Sequence, residues 1–305
     1  MNNSKVVILG AGHVGSHAAH AIARKGICTE IVLVDTDRDK AVSQALDIDD
    51  SLHGDAADTL IRAGGHSEVA DAAIVINAIG EGRKPGQTRL DLLARSVELS
   101  DILSAQLQPH GVPGIFISVT NPCDVIADYM RRSLSLPRER AFGTGTLLDT
   151  ARLVRAISRK TGVRRNDILA YCLGEHGDSS MIPFDTIRIK GEHPVSYGIS
   201  CEELLDETHS SGMVIIEGKK STEYGIGEAC AILTKCILLD EKKVLPVSVL
   251  LEGEYDESGV HAGVPCVIGR NGIESVIVTD MTADEKAAFH RSCDIIRDHI
   301  RRADI

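Results

Sequence analysis

A sequence of 305 residues is long enough for two domains, and for a sizeable core that needs no disulfide or metal. Hydrophobic residues make up 43% and charged residues 25%, which excludes a mainly disordered chain. Asp and Glu number 44 against 33 Lys and Arg, a formal net charge of -11. This negative balance disfavours nucleic acid and anionic membranes as partners.

The chain shows no targeting or spanning segment. No apolar run reaches the roughly 18 residues that cross a bilayer, and the N-terminal residues lack the features of a secretory signal. Eight cysteines are scattered without a C-x-x-C pair. These features predict a cytoplasmic protein with reduced, mostly buried thiols.

The first half of the chain alternates predicted strands with predicted helices. Continuous β-branched runs indicate buried strands over 5–9, 31–35, 73–78 and 114–119, and helical spacing covers 14–25, 39–49 and 89–108. This alternation is typical of parallel βαβ units, so we expect an α/β fold with a doubly wound parallel sheet.

The second half has a mixed α+β pattern. Helices are predicted over 150–160, 201–217 and 223–239, and a last helix begins at Thr282, where the spacing matches a capping box. Strands are predicted over 168–173, 246–251, 264–268 and 274–278, with a hairpin formed by 186–190 and 195–197. We therefore divide the chain into domains 1–143 and 144–305.

A glycine-rich turn follows the first strand and opens the first helix. Gly10, Gly12 and Gly15 have the G-x-G-x-x-G spacing of a Rossmann dinucleotide site, in which the glycines allow a tight turn and close approach of a pyrophosphate. Asp35 ends the next strand, about 20 residues after Gly15, where a carboxylate accepts hydrogen bonds from the ribose hydroxyls. The same carboxylate repels a 2′-phosphate, so the motif favours NAD over NADP.

Four further stretches carry polar side chains, and several of them follow predicted strands, where ligands bind in open α/β sheets. They are R-K-P-G-Q-T-R at 83–89, Asn121-Pro122, D-T-A-R at 149–152 and G-E-H-G-D at 174–178. Taken singly, each is an ordinary turn or a solvated ion pair. Their occurrence together favours a reactive site.

With the glycine turn and Asp35, these motifs closely resemble the L-lactate/L-malate dehydrogenase family over essentially the whole chain. The resemblance implies His176 as proton donor and acceptor, Asp149 as the group that orients its imidazole, and Arg89 as the residue that polarises the substrate carbonyl. It also implies that Arg152 grips the substrate carboxylate, with Asn121 and Thr222 at the substrate. The expected cofactor residues are Gly10, Gly12, His13, Val14, Gly15, Asp35, Gly80, Val119 and Asn121.

The substrate stays open between two members of the family. Arg83 occupies the loop position where malate enzymes carry Arg and lactate enzymes tend to carry Gln, which argues for oxaloacetate and malate. The sequence motifs around Asp149 and His176 resemble the lactate and L-2-hydroxyisocaproate branch, as do Thr222 and Gln87. The expectation is an NAD-dependent L-2-hydroxyacid dehydrogenase of lactate type, with malate dehydrogenase as the alternative.

Other properties follow from the resemblance or from the residues. The family implies a homodimer or homotetramer. Val154 and Leu169 stand where enzymes activated by fructose 1,6-bisphosphate carry Arg and His, so no such activation is expected. His13, His17 and His20 share a helix face, but no further ligand completes a metal site, and none is predicted. More distant alternatives are an NAD(H) sensor without turnover and an NAD-dependent glycosidase.

Overall fold

Six parallel strands from the first half of the chain form most of the main sheet. The computed structural model describes residues 4–54, 58–81 and 89–305, with the backbone alone for 89–91. The strands are β1 (Lys5–Leu9), β2 (Glu30–Val34), β3 (Leu60–Ala63), β4 (Ile74–Asn77), β5 (Ile115–Ser118) and β6 (Ala141–Gly143). Their order is β3-β2-β1-β4-β5-β6, and each neighbouring pair is parallel. The expected doubly wound sheet is confirmed.

Helices cover both faces of this sheet because its strands are apolar on both sides. The helices are α1 (His13–Lys25), α2 (Arg38–Asp50), α3 (Arg89–Leu107) and α4 (Cys123–Ser133). Alternate residues of β1 illustrate the arrangement: Ile8 packs in the cluster that contains the buried residues of α1 and α2, whereas Leu9 packs with residues of α3 and α4. The reversal of strand order between β1 and β4 leaves a crevice at the carboxyl ends of these strands.

The second half extends the same sheet with antiparallel strands. These are β9 (Lys243–Glu252), β10 (Ser258–Gly269) and β11 (Gly272–Val276), and β9 joins β6 where Ser248 pairs with Gly143. The helices are α5 (Leu147–Thr161), α6 (Cys201–Lys219), α7 (Tyr224–Leu238) and α8 (Ala283–Arg302), and a small sheet pairs β7 (Ile168–Leu169) with β8 (Arg188–Ile189). Thr282 caps α8 through a capping box, as expected.

The predicted hairpin at 186–197 is wrong. Residues 194–197 form a 3₁₀ turn, and β8 pairs with β7 rather than with them. Pro194 has no backbone N–H to donate to a strand partner, and the His193 side chain accepts the Val195 N–H at 3.3 Å, which closes the turn. The strand predicted over 168–173 is also shorter, since the assigned strand β7 ends at Leu169.

All eight cysteines lie in the described part of the chain, and each is a free thiol. Seven of them are buried, as expected, and Cys201 is half-buried. No helix among the described residues combines the length and apolar content that a bilayer span requires.

Candidate active site

The glycine turn between β1 and α1 has a different steric reason at each glycine. Gly10 has a φ of +98°, and a Cβ there would lie 2.8 Å from the backbone oxygen of Ala78. At Gly15 a Cβ would lie 1.8 Å from the Gly10 oxygen, so only glycine lets α1 approach the turn. Gly12 instead faces open space, with no atom within 4 Å of a Cβ built on it. The residues present therefore fit a pyrophosphate at Gly12.

The N-terminus of α1 leaves its backbone donors available. No side chain caps the helix, and no acidic residue lies in its first turn. Free N–H groups and the positive end of the helix dipole attract phosphate oxygens at such a position. Two further cofactor candidates lie here: His13 is exposed, whereas Val14 is half-buried against the core.

Asp35 lies at the end of β2, beside the turn. Its Oδ2 accepts the Ala11 N–H at 2.8 Å and lies 3.2 Å from the Lys40 ammonium, and its Oδ1 accepts the Asp37 N–H at 3.0 Å. Partial burial raises the pKa of Asp35, but these donors outweigh burial and hold it below its usual range. The carboxylate is therefore ionised and in place to accept ribose hydroxyls.

A cavity of about 420 Å³ opens beside these residues. The residues that line it include Gly10, Gly12, Asp35 and Gly80. The cavity therefore lies where the chain leaves strands β1, β2 and β4. The cavity is large enough for part of a dinucleotide. Val119 does not line it: the residue is buried, and its N–H bonds the Asn77 oxygen at 2.8 Å.

A buried carboxylate, that of Asp149, contacts the side chains of both His176 and Arg152. Asp149, in the first turn of α5, accepts from His176 Nδ1 at 2.6 Å through one oxygen and from Arg152 Nη1 at 2.8 Å through the other. Asp149 is 5% exposed, so this Asp–Arg pair is not the ordinary solvated pair that its spacing allows. The contact to Nδ1 leaves Nε2 of the imidazole to face a substrate.

Charge and burial set the protonation of this group. The Asp149 carboxylate raises the pKa of His176 to about 9, although burial opposes the shift. Burial raises the pKa of Asp149 itself, but His176 and Arg152 outweigh burial and lower it. The imidazole is thus held in its protonated form at neutral pH.

Two residues outside the predicted set anchor the loop that carries His176. Asp124 accepts the His176 backbone N–H at 2.8 Å, and the hydroxyl of Ser292 in α8 accepts the Glu175 N–H at 2.8 Å. Neither was predicted, because each contact joins residues more than 50 positions apart. For Asp124 a signal existed: 123, 126, 127 and 130 are apolar at helical spacing after Asn121-Pro122, which indicates α4.

The substrate candidates Arg152 on α5 and Thr222 before α7 share a second cavity, of about 330 Å³. Arg152 and Thr222 both line it, together with Arg155 and Tyr224. The structure therefore brings Arg152 and Thr222 together. Asn121 is exposed after β5, and its backbone oxygen accepts the Ser96 hydroxyl at 2.8 Å.

Two predicted site residues cannot be placed from their side chains. Arg83 lies outside the residues that the structure describes, and Arg89, the first residue of α3, is described by its backbone alone.

Two of the histidines on α1 have contacts within the protein. His13 Nδ1 lies 3.2 Å from Glu223, and His17 Nδ1 contacts the His13 oxygen at 2.7 Å. Within residues 4–54, 58–81 and 89–305, no group of three or more His, Cys, Asp or Glu could hold a metal ion.

Family models match both halves of the chain. The model of the lactate/malate dehydrogenase NAD binding domain matches residues 4–143, and the model of the alpha/beta C-terminal domain matches residues 146–304. Together they cover nearly the whole sequence.

Known proteins are similar over the same length. L-lactate dehydrogenase 3 of Bacillus cereus is 36% identical over 309 residues, and L-lactate dehydrogenase 1 of Bifidobacterium longum is 34% identical over 308, with 98% of both chains covered in each case. The crystal structure of the minor L-lactate dehydrogenase from Enterococcus mundtii in its ligands-bound form has a TM-score of 0.95 at 34% identity, covering 99% of this chain and 98% of that one. The chain thus belongs to the lactate/malate dehydrogenase family.

Proposed function

We propose that the protein is an NAD-dependent L-2-hydroxyacid dehydrogenase of lactate type, which interconverts pyruvate or a related 2-oxo acid and NADH with the L-2-hydroxy acid and NAD. The observation that carries this proposal is Asp149 between His176 and Arg152. It places a proton-transfer group beside a carboxylate-binding group. The similarity to L-lactate dehydrogenases over 98% of the chain supports the same activity.

Each side chain has a distinct part in the reaction. Bound NAD supplies the hydride acceptor carbon. His176 takes the hydroxyl proton at Nε2 during oxidation and returns it during reduction, while Asp149 holds the Nδ1 proton and stabilises the imidazolium. Arg152 binds the substrate carboxylate through its planar guanidinium. Arg89 donates to the carbonyl oxygen as negative charge develops there.

The substrate side chain lies near Thr222 in this proposal. Malate dehydrogenase is the alternative, because Arg83 pairs with a second carboxylate if it closes over the substrate. A guanidinium closed over the methyl group of pyruvate has no partner, which costs several kcal/mol. The side-chain position of Arg83 therefore decides between the two substrates.

A substrate panel tests the activity and the specificity together. The absorbance of NADH is followed after addition of pyruvate, oxaloacetate, 2-oxoisocaproate or phenylpyruvate, and kcat/KM is compared for the wild type and Arg83→Gln. A lactate-type enzyme prefers a monocarboxylate and changes little on substitution, whereas a malate enzyme loses its preference for oxaloacetate sharply. Binding of NADH without its consumption by any acid identifies a sensor instead and refutes the dehydrogenase.

Three properties complete the proposal. The chain divides into a cofactor domain at 1–143 and a substrate domain at 144–305. It acts in the cytoplasm. It assembles as a homodimer or homotetramer, which the exposed apolar side chains of Met213 and Val214 on α6 support. Light scattering of the purified protein measures the number of subunits, and a monomer contradicts the assembly.

A further inference from the structure

A second carboxylate that contacts His176, besides Asp149, is not used by the mechanism above. Asp124 is the second residue of α4 and is 2% exposed. Its Oδ2 accepts the backbone N–H of His176 at 2.8 Å, across 52 residues of sequence. A buried carboxylate is costly unless its surroundings compensate it, so its retention at this contact needs a reason.

The contact fixes the backbone from which the imidazole projects. Asp149 holds the ring through Nδ1, whereas Asp124 holds the main chain of the same residue. With two anchors on different helices, α5 and α4, the ring has one position relative to Arg152. Positioning of this kind matters because a displacement of about 1 Å at a reacting group can cost about 100-fold in rate.

The charge of Asp124 acts on the same imidazole. Burial raises the pKa of Asp124 to about 6, while the His176 N–H and its imidazolium lower it. Conversely, Asp124 is among the groups that raise the pKa of His176, after the larger effect of Asp149. The other groups that face Asp124 are Glu175 on the His176 loop, the thiols of Cys123 and Cys293, and the Ser248 hydroxyl of β9.

We propose that Asp124 is a positioning residue: its buried carboxylate holds the backbone of His176 and favours the protonated imidazole that donates a proton to the 2-oxo acid. This inference rests on the proposed dehydrogenase function only for its kinetic consequence. The effect on the imidazole exists whether or not a substrate is turned over.

Asp124→Asn and Asp124→Ala separate the two effects. The amide of Asn still accepts the His176 N–H but carries no charge, whereas Ala removes both the acceptor and the charge. Asp128→Asn is the matched control, because Asp128 is a buried carboxylate one turn along α4 that pairs with Arg131 and Arg132 instead.

The pKa of the His176 ring is measured by NMR titration of the full chain, with His176→Gln to assign the signal. We expect Asp124→Asn to lower this pKa by about one unit, and Asp128→Asn to leave it unchanged. In the NADH assay, Asp124→Ala lowers kcat about 100-fold with little change in KM, because Arg152 is untouched.

An unchanged His176 pKa in Asp124→Asn overturns the proposal, as does an equal shift in Asp128→Asn. An unchanged kcat in Asp124→Ala also overturns it, and if Asp124→Ala does not fold, Asp124→Val replaces it as the variant without an acceptor, because Asp124→Asn tests only the charge. If the wild type does not consume NADH with any of the 2-oxo acids tested, the proposed function fails. The titration still reports the effect of Asp124 on the pKa of His176.

Discussion

Asp149 is the residue on which the chemistry of the candidate site depends. One of its two carboxylate oxygens contacts His176 and the other contacts Arg152, so in the proposed mechanism it orients a proton donor and a carboxylate-binding group at once. Because Asp149 is buried, both contacts are only weakly screened by solvent. A change at any of the three side chains therefore affects the other two.

The guanidinium of Arg152 cannot be replaced by an ammonium. Arg152→Lys keeps the charge but loses the planar fork, which is worth about 2–3 kcal/mol at a charged hydrogen-bonded site. We expect kcat/KM for the 2-oxo acid to fall about 100-fold, which corresponds to that range. Arg159→Lys, at an exposed position on the same helix, is the control. Steady-state kinetics that show equal losses in both variants contradict a carboxylate-binding role.

The pH dependence follows from the raised pKa of His176, about 9. Reduction of the 2-oxo acid needs the imidazolium, so its kcat/KM is constant below this pKa and falls as the pH rises through it. Oxidation of the hydroxy acid needs the neutral imidazole, so its kcat/KM rises over the same interval. Rates in both directions are measured from about pH 6 to 10, an interval that brackets the pKa of His176. They test the assignment of His176 as the proton donor and acceptor. Parallel profiles in the two directions contradict it.

Sequence motifs predict which residues form the candidate site more readily than they predict the contacts between those residues. His176, Asp149 and Arg152 lie in long specific motifs, and the structure brings the three side chains into contact, while their roles stay predictions. Asp124 was missed because its partner is a backbone N–H that no side-chain pattern marks. Val119 was expected at the cofactor; it is buried and does not line the cavity beside Gly12, so its part at the cofactor stays a prediction.

At the scale of elements, α6 supports Arg152 through a glycine. A Cβ at Gly212 would lie 3.3 Å from Arg152 Nη2 and 3.4 Å from its Nη1 and Cζ. Helix α6 therefore lies directly against the guanidinium. A Cβ at Gly212 requires the Arg152 guanidinium to shift by a few tenths of an ångström, and in the proposed mechanism this group binds the substrate.

Gly212→Ala tests this contact, with Gly218→Ala on the same helix as the control, since a Cβ at Gly218 meets no atom within 4 Å. Both substitutions raise helix propensity by up to about 1 kcal/mol. We expect Gly212→Ala alone to raise KM for the 2-oxo acid, by about tenfold or 1.4 kcal/mol. Unchanged KM in both variants shows that Arg152 moves away from Gly212 in the working enzyme.

The elements of the first half were predicted more accurately than the others. Buried parallel strands are continuous apolar runs, and β1, β2, β4 and β5 all lie within a residue of their predicted ends. Strands β3 and β6 were missed: Arg62 interrupts the apolar run of β3, and β6 has only three residues. Around Pro194 the tertiary pairing of β8 with β7 replaces the local hairpin that the pattern predicted.

At the scale of the whole molecule, the two halves share one sheet and the largest core cluster. Strand β9 joins β6, and this cluster contains Ile8 of β1 as well as Val247 of β9 and Phe289 of α8. Two smaller clusters of the described residues lie within one half each, from Val7 to Ala141 and from Leu153 to Leu204, beside the shared one. Neither half buries its apolar surface fully by itself.

A single cooperative unfolding transition is the expected consequence. Differential scanning calorimetry of the full chain should give equal calorimetric and van't Hoff enthalpies, because both halves lose their packing together. Excess NADH raises the temperature of this one transition, since it binds only the folded protein. Two separated transitions, of which NADH shifts only the first, contradict the shared core.

The burial of the thiols has a practical consequence for labelling α6 in solution. Cys201 begins this helix and is half-buried, whereas the other seven cysteines are buried. A maleimide fluorophore therefore has one favoured attachment point in the native enzyme, without removal of any other cysteine. Peptide mapping after labelling identifies the modified residue, and the dye then reports on the helix that lies against Arg152.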